Sequence, residues 1–147
     1  MIVAVLDANV LASGLVTHGQ TAPVQILDAW RAGHYALALS EHLLAELTHT
    51  FEDPYFSRRL TSEQIAANLR LLERHATIAA ITVRVEGVAT HPEDDLTLST
   101  AVSIRAGYLV TGDKKLQDIV TYREVQIVSP RRFLEILRTQ ESKSASE

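Results

Sequence analysis

Cysteine is missing from the 147 residues. Its absence excludes disulfide staples and thiolate zinc sites, and it agrees with a reducing compartment. Long apolar runs are missing too. The first, residues 2–6, stops at Asp7, and no later segment approaches the roughly 20 apolar residues of a membrane span. With no basic leader ahead of that run, a cytoplasmic protein is expected, with no membrane partner. Positive charge is scarce. Fourteen Lys and Arg against 18 Asp and Glu give a net charge of −4, the wrong sign for holding nucleic acid by bulk charge alone. Neither GxGxxG nor GxxxxGK[ST] occurs, which removes dinucleotide and P-loop cradles, and the six histidines form no HExxH site. Glu46 and His49 have the Glu-x-x-His spacing of di-iron bundles, but no second pair accompanies them. His42 and His49 read as partly exposed surface residues.

What is present is 46% hydrophobic residues, enough for one domain with a sizeable core. We expect a single domain over residues 1–140 and a flexible tail over 141–147. Short β-branched runs alternate with longer amphipathic stretches. Strands are expected at 2–6, in "YALALS", in "ITVRV", in "YLVT" and in "VQIVS". Helices are expected over 21–32, ended by Gly33, and from Ser40 to about Phe51, with Leu44, Leu47 and Phe51 inward. Thr61 and Gln64 make a capping-box pattern that launches a further helix. Another begins at Glu93 or Asp94 and ends by Gly107. A short one follows Asp113, and Ser129-Pro130 opens the last. The alternation predicts an α/β fold, a central, mostly parallel five-stranded sheet covered on both faces.

In such sheets the functional crevice lies beyond the carboxyl ends of the strands. Acidic residues recur at that edge: Asp7 after the first strand, Glu46 on the helix after the second, Asp94 and Asp95 after the third, Asp113 after the fourth. Each has a plain structural account. Asp7 suits a turn, Asp113 a helix cap, and Asp94 and Asp95 a first helical turn whose dipole welcomes negative charge. Glu46 leans over the margin of a buried stripe. Four such accounts coinciding at one edge of one sheet is the weaker explanation. Converging carboxylates raise one another's pKa unless a cation joins them, so a hard divalent metal is implied. An oxygen-only ligand set selects Mg²⁺ or Mn²⁺ over zinc. The chemistry that suits it is hydrolysis of a phosphodiester. Two such ions would bring the formal charge from −4 to about 0.

Four stretches, "LDANVL", "SEHLLAEL", "EDDLTLSTAV" and "YLVTGDKKL", resemble in order and spacing the PIN domains, a nuclease family that includes the toxins of VapC-type toxin–antitoxin pairs. The resemblance spans nearly the whole chain. It implies a three-layer α/β/α sandwich and a Mg²⁺- or Mn²⁺-dependent endoribonuclease acting on single-stranded or loop RNA. Asp7, Glu46, Asp95 and Asp113 look like the family's metal-binding and catalytic acids, and Asn9, Thr111 and Ser99 like supporting polar residues. His91 and Glu93 stand in what tends to be a run of aspartates. Asp94 and Asp95 therefore both remain candidates for the third ligand, with the spacing to "STA" favouring Asp95. Lys114, Lys115, Arg58 and Arg59 border the expected cleft or its lid and are candidate phosphate contacts. A charged pair on a helix is more often a solvated face. A cognate antitoxin and a homodimer are further partners that the resemblance implies.

Two rivals are tested by residues. A haloacid-dehalogenase-type phosphatase needs a second aspartate where Asn9 stands. A catalytically inactive PIN-like module that binds RNA or protein would show losses among the acidic positions, and all of them are acidic here.

Overall fold

The computed structural model describes residues 1–16 and 19–146. Six strands, β1 (Val3–Leu6), β2 (Ala36–Leu39), β3 (Thr77–Ile78), β4 (Tyr108–Val110), β5 (Thr121–Tyr122) and β6 (Val125–Val128), form one sheet in the order β3-β2-β1-β4-β6-β5. All pairings are parallel except that of β5 with β6 at one edge. In the central strands successive residues are buried, Ala4, Val5 and Leu6 in β1 and Leu37, Ala38 and Leu39 in β2. Strands buried on both faces read as continuous apolar runs, so no alternation marks them.

Eight helices, α1 (Ala8–Val16), α2 (Ala22–Arg31), α3 (Glu41–Thr50), α4 (Pro54–Ser57), α5 (Ser62–His75), α6 (Pro92–Ser103), α7 (Lys114–Gln117) and α8 (Pro130–Ser146), flank the sheet among the described residues. α1 packs on α2 and α3, α2 on α8, and α6 on β1 and β4. At Gly14 an added Cβ would stand 2.5 Å from Leu27 Cδ2 and 2.6 Å from the Pro23 carbonyl, so a side chain there would force α1 and α2 apart. α8 extends to Ser146 and so takes in most of the stretch read as a tail.

Local signals hold where they are strong. Ser40 Oγ caps α3 through the Leu43 amide at 3.2 Å. Thr61 and Gln64 close the capping box, with Gln64 N–H donating to Thr61 Oγ1 at 3.1 Å and Thr61 N–H to Gln64 Oε1 at 2.9 Å. One helix was not expected, and two expectations differ from the structure. α1 escapes a periodicity search because ANVLASGLV is apolar nearly all round and shows no stripe. α6 stops at Ser103, before Gly107, and Arg105 takes the left-handed turn, with φ 56°. The sheet has six strands where five were expected, and "ITVRV" is none of them.

The last difference has a physical cause. Thr77–Ile78 takes the free edge of β2, and residues 82–89 run along α6 instead, held by its side chains. Ser103 Oγ accepts from Thr82 and Val83 N–H, both at 3.0 Å, and Ser99 Oγ from Val85 N–H at 2.8 Å. Asp95 accepts from Gly87, Val88 and Ala89. An extended segment whose amides are satisfied by side chains needs no neighbouring strand. The alternation survives, with Val85 buried and Arg84 and Glu86 exposed, but it records packing on a helix.

Candidate functional site

Strand order leaves β1 in one direction through β2 to β3 and in the other through β4 to β6, so the topological switch lies between β1 and β4. Asp7 follows β1 and Thr111 follows β4 at that point, joined as the sheet ends by Asp7 N–H donating to the Val110 carbonyl at 3.0 Å. The Asp7 carboxylate is divided between two tasks. Oδ1 caps α1 by accepting from Val10 N–H at 2.9 Å, while Oδ2 accepts from the Thr111 hydroxyl. Thr111, fully buried, in turn accepts from Asp113 N–H at 3.1 Å. Asp113 caps α7 through one oxygen, Oδ1, by accepting from Lys115 N–H at 2.9 Å. The plain capping roles are therefore real, and each uses only one oxygen of its carboxylate.

The electrostatics bring four sequence candidates together. Burial pushes the Asp7 carboxyl above the usual carboxylate range; the Thr111 and Val10 hydrogen bonds pull it back, and the charges of Asp94 and Asp113 push it further up. Burial also raises Glu46, from 4.5 to about 7, helped by a hydrogen bond with Glu93 and by the charges of Glu93, Asp94 and Asp7. Asp94 is raised by burial first and then by Asp113, with His91 pulling it down. Asp7, Glu46, Asp94 and Asp113 thus share one cleft, with Glu93 as a fifth carboxylate that sequence reasoning left out of the site. Its only signal is its place in the acidic run that opens α6. Ion pairs among the described residues engage Asp28, Glu52, Glu135 and Glu141 instead.

Asp95 and Ser99 are not brought to this cleft. Asp95 is buried, with its carboxylate occupied by the three amides of residues 87–89, and Ser99 lies beneath it, donating to the Asp95 carbonyl at 2.7 Å. Asn9 is exposed and lines a neighbouring cavity of about 410 Å³ with His49, Thr50, Glu52, Asp53 and Phe56. Lys114 and Lys115 are exposed on α7, next to Asp113. Arg58 and Arg59 are exposed at the end of α4. The Arg59 guanidinium sits 3.8 Å from the centre of the Tyr55 ring.

Oxygen donors, burial and unrelieved mutual repulsion suit a hard divalent cation, which neutralises several carboxylates at once. Among the described residues no three His, Asp or Glu side chains stand close enough to hold an ion as they are placed.

The sheet is mostly parallel, and acidic residues crowd at its switch point. The PIN domain family matches residues 3–115, and the chain belongs to it. PIN domains are generally nucleases and generally use divalent metal ions. Two crystal structures share the fold. VapBC2 from Rickettsia felis, bound to a DNA fragment from its promoter, has 19% identity and a TM-score of 0.61, over 87% of this chain and 98% of that one. FitAcB from Neisseria gonorrhoeae has 17% identity and a TM-score of 0.53, over 86% and 97%. No curated protein matches the chain. Among the described residues no helix is long and apolar enough to cross a membrane.

Proposed function

We propose that this PIN domain is a Mg²⁺- or Mn²⁺-dependent endoribonuclease and the toxin of a toxin–antitoxin pair. The observation that carries the reading is the convergence of Asp7, Glu46, Asp94 and Asp113 at the switch point, where burial and neighbouring carboxylates disfavour the charges of Asp7, Glu46 and Asp94. These four would hold the metal, which when bound supplies positive charge to the attacked phosphate and makes water a better nucleophile. The remaining work belongs to the chain. Thr111 and the Val10 amide fix both oxygens of Asp7. Glu46 shares a hydrogen bond with Glu93, so a cation arriving there displaces a proton, and affinity rises with pH. Lys114 and Lys115, beside Asp113, are placed to meet phosphates flanking the cut.

RNA as substrate, an antitoxin and a second copy of the chain are the partners this reading implies. The antitoxin is supported by the names of the two similar structures, VapBC2 and FitAcB. It is supported chemically by the cleft itself, because an arginine fork pairs with carboxylates that lack a cation. A second reading, a PIN module that binds RNA or protein without cutting, is favoured by the lack of three ligand groups already close together among the described residues.

Cleavage of a 5′-labelled single-stranded RNA pool, with EDTA, Mg²⁺ or Mn²⁺ and beside Asp7→Asn, separates the two. Metal-dependent cutting that Asp7→Asn abolishes supports the nuclease. Equal RNA or partner binding by both folded proteins, with no cutting by either, supports the module.

A further inference from the structure

Three successive carboxylates, Glu93, Asp94 and Asp95, occupy the first turn of α6. Successive helical residues point about 100° apart, so they cannot all face one cleft. Glu93 and Asp94 act on Glu46, and Asp94 on Asp7 as well. Asp95 turns to the other side. Its Oδ1 accepts from Val88 N–H at 3.2 Å and Ala89 N–H at 2.7 Å, and its Oδ2 from Gly87 N–H at 3.0 Å. Gly87, at φ 71°, makes the left-handed turn beside which these amides converge. Ser99 and Ser103, one and two turns further along the same face, hold Val85 and then Val83 and Thr82.

The start of α6 lacks the usual device for holding a helix in place. His91, its N-cap residue, makes no side-chain capping hydrogen bond. In that first turn Asp95 instead takes three backbone amides. We propose that Asp95 is a positioning residue: by clamping the amides of residues 87–89 it sets the rotation of the first turn of α6, and so directs Asp94 and Glu93 toward Asp7 and Glu46. What the cleft then binds rests on the nuclease reading; the clamp itself does not.

The test uses the full chain and Mn²⁺ alone as probe, with Asp95→Asn, Asp94→Asn, Ser103→Ala and Gly87→Ala. Calorimetry gives Mn²⁺ affinity. Hydrogen exchange and backbone amide shifts report on residues 87–89 and on Glu93 and Asp94. Asp95→Asn keeps one carbonyl oxygen for three amides, so those amides should exchange faster and Mn²⁺ affinity should fall about 10-fold, as for other groups that orient a ligand. Asp94→Asn should lower affinity by about 100-fold or more while leaving the loop protected. Ser103→Ala loosens the far end of the same seam and should leave affinity within about twofold. Gly87→Ala strains the clamp from the loop side with every carboxylate intact, and it replaces Asp95→Asn if that variant fails to fold. It should weaken Mn²⁺ binding in the same direction, by about 10-fold or less.

A loosened loop with wild-type Mn²⁺ affinity, in Asp95→Asn or Gly87→Ala, overturns the positioning role and leaves Asp95 merely structural. Lost Mn²⁺ binding with a protected loop makes Asp95 a ligand and overturns it too. If the wild-type protein binds no Mn²⁺, the nuclease reading falls. The clamp is then decided by the amide shifts of Glu93 and Asp94, which must move in Asp95→Asn and stay in Ser103→Ala.

Discussion

The cleft at the carboxyl edge of the sheet and the seam between α6 and residues 82–89 are both polar, and both lie against the core. In the seam every named acceptor meets a donor: Asp95, Ser99 and Ser103 take six backbone N–H groups between them. In the cleft carboxylates crowd one another: Asp7 accepts from Val10 and Thr111, yet Asp7, Glu46 and Asp94 are all held above the ordinary carboxylate range. Satisfied buried polarity stabilises a fold, whereas like charges kept together without a partner are a cost that folding alone does not explain. The difference supports a structural part for the seam and the proposed metal-binding part for the cleft.

Mutations should break the two regions in opposite ways. The largest effect is expected from Asp7→Asn, which keeps the α1 cap but removes a charge from the cleft. RNA cleavage should fall by about 100-fold or more, while the thermal midpoint stays level or rises. Labelled-RNA assays beside thermal melts check both. Ser99→Ala should do the reverse. It strands the buried Val85 N–H and should cost about 1–3 kcal/mol in denaturant unfolding, with cleavage by the folded fraction little changed.

A pH series sharpens the contrast further. Glu46 in the folded protein holds its proton up to about 7, against an ordinary 4.5 when unfolded. Between those values the folded state binds more protons, so without divalent ions its stability should fall as pH rises through this window. Glu46→Gln should flatten that slope, and saturating Mg²⁺ should reverse it. A Glu46→Gln protein with the wild-type slope would place the titration elsewhere. The smallest effect is expected at Arg59, whose exposed stack on Tyr55 is worth about 0.5–1 kcal/mol. Arg59→Ala should change unfolding by no more than that.

Much of this was legible along the chain, because caps and strand ends are local. Ser40, Thr61 with Gln64, and Asp113 each announced a helix through hydrogen bonds spanning two or three residues. Asp7, Glu46 and Asp113 could be assigned to one edge because a parallel sheet brings the ends of its strands together. α1 was hidden by its lack of a polar face. "ITVRV" misled because a period of two is the same whether a segment pairs with a strand or lies along a helix. Spacing to "STA" favoured Asp95 over Asp94, but both stand in the same helical turn and spacing does not encode helix rotation.

The sequence by itself determined the alternation of strands and helices, their caps, and the acidic residues that would meet at the carboxyl edge, all consequences of short-range chemistry repeated along the chain. Only the tertiary structure decided that Asp94 faces the cleft and Asp95 the loop. It alone brought the Thr111 hydroxyl to Asp7 across 104 positions. Rotation of a helix about its axis, and contact between distant strand ends, are set by packing, which no stretch of sequence contains.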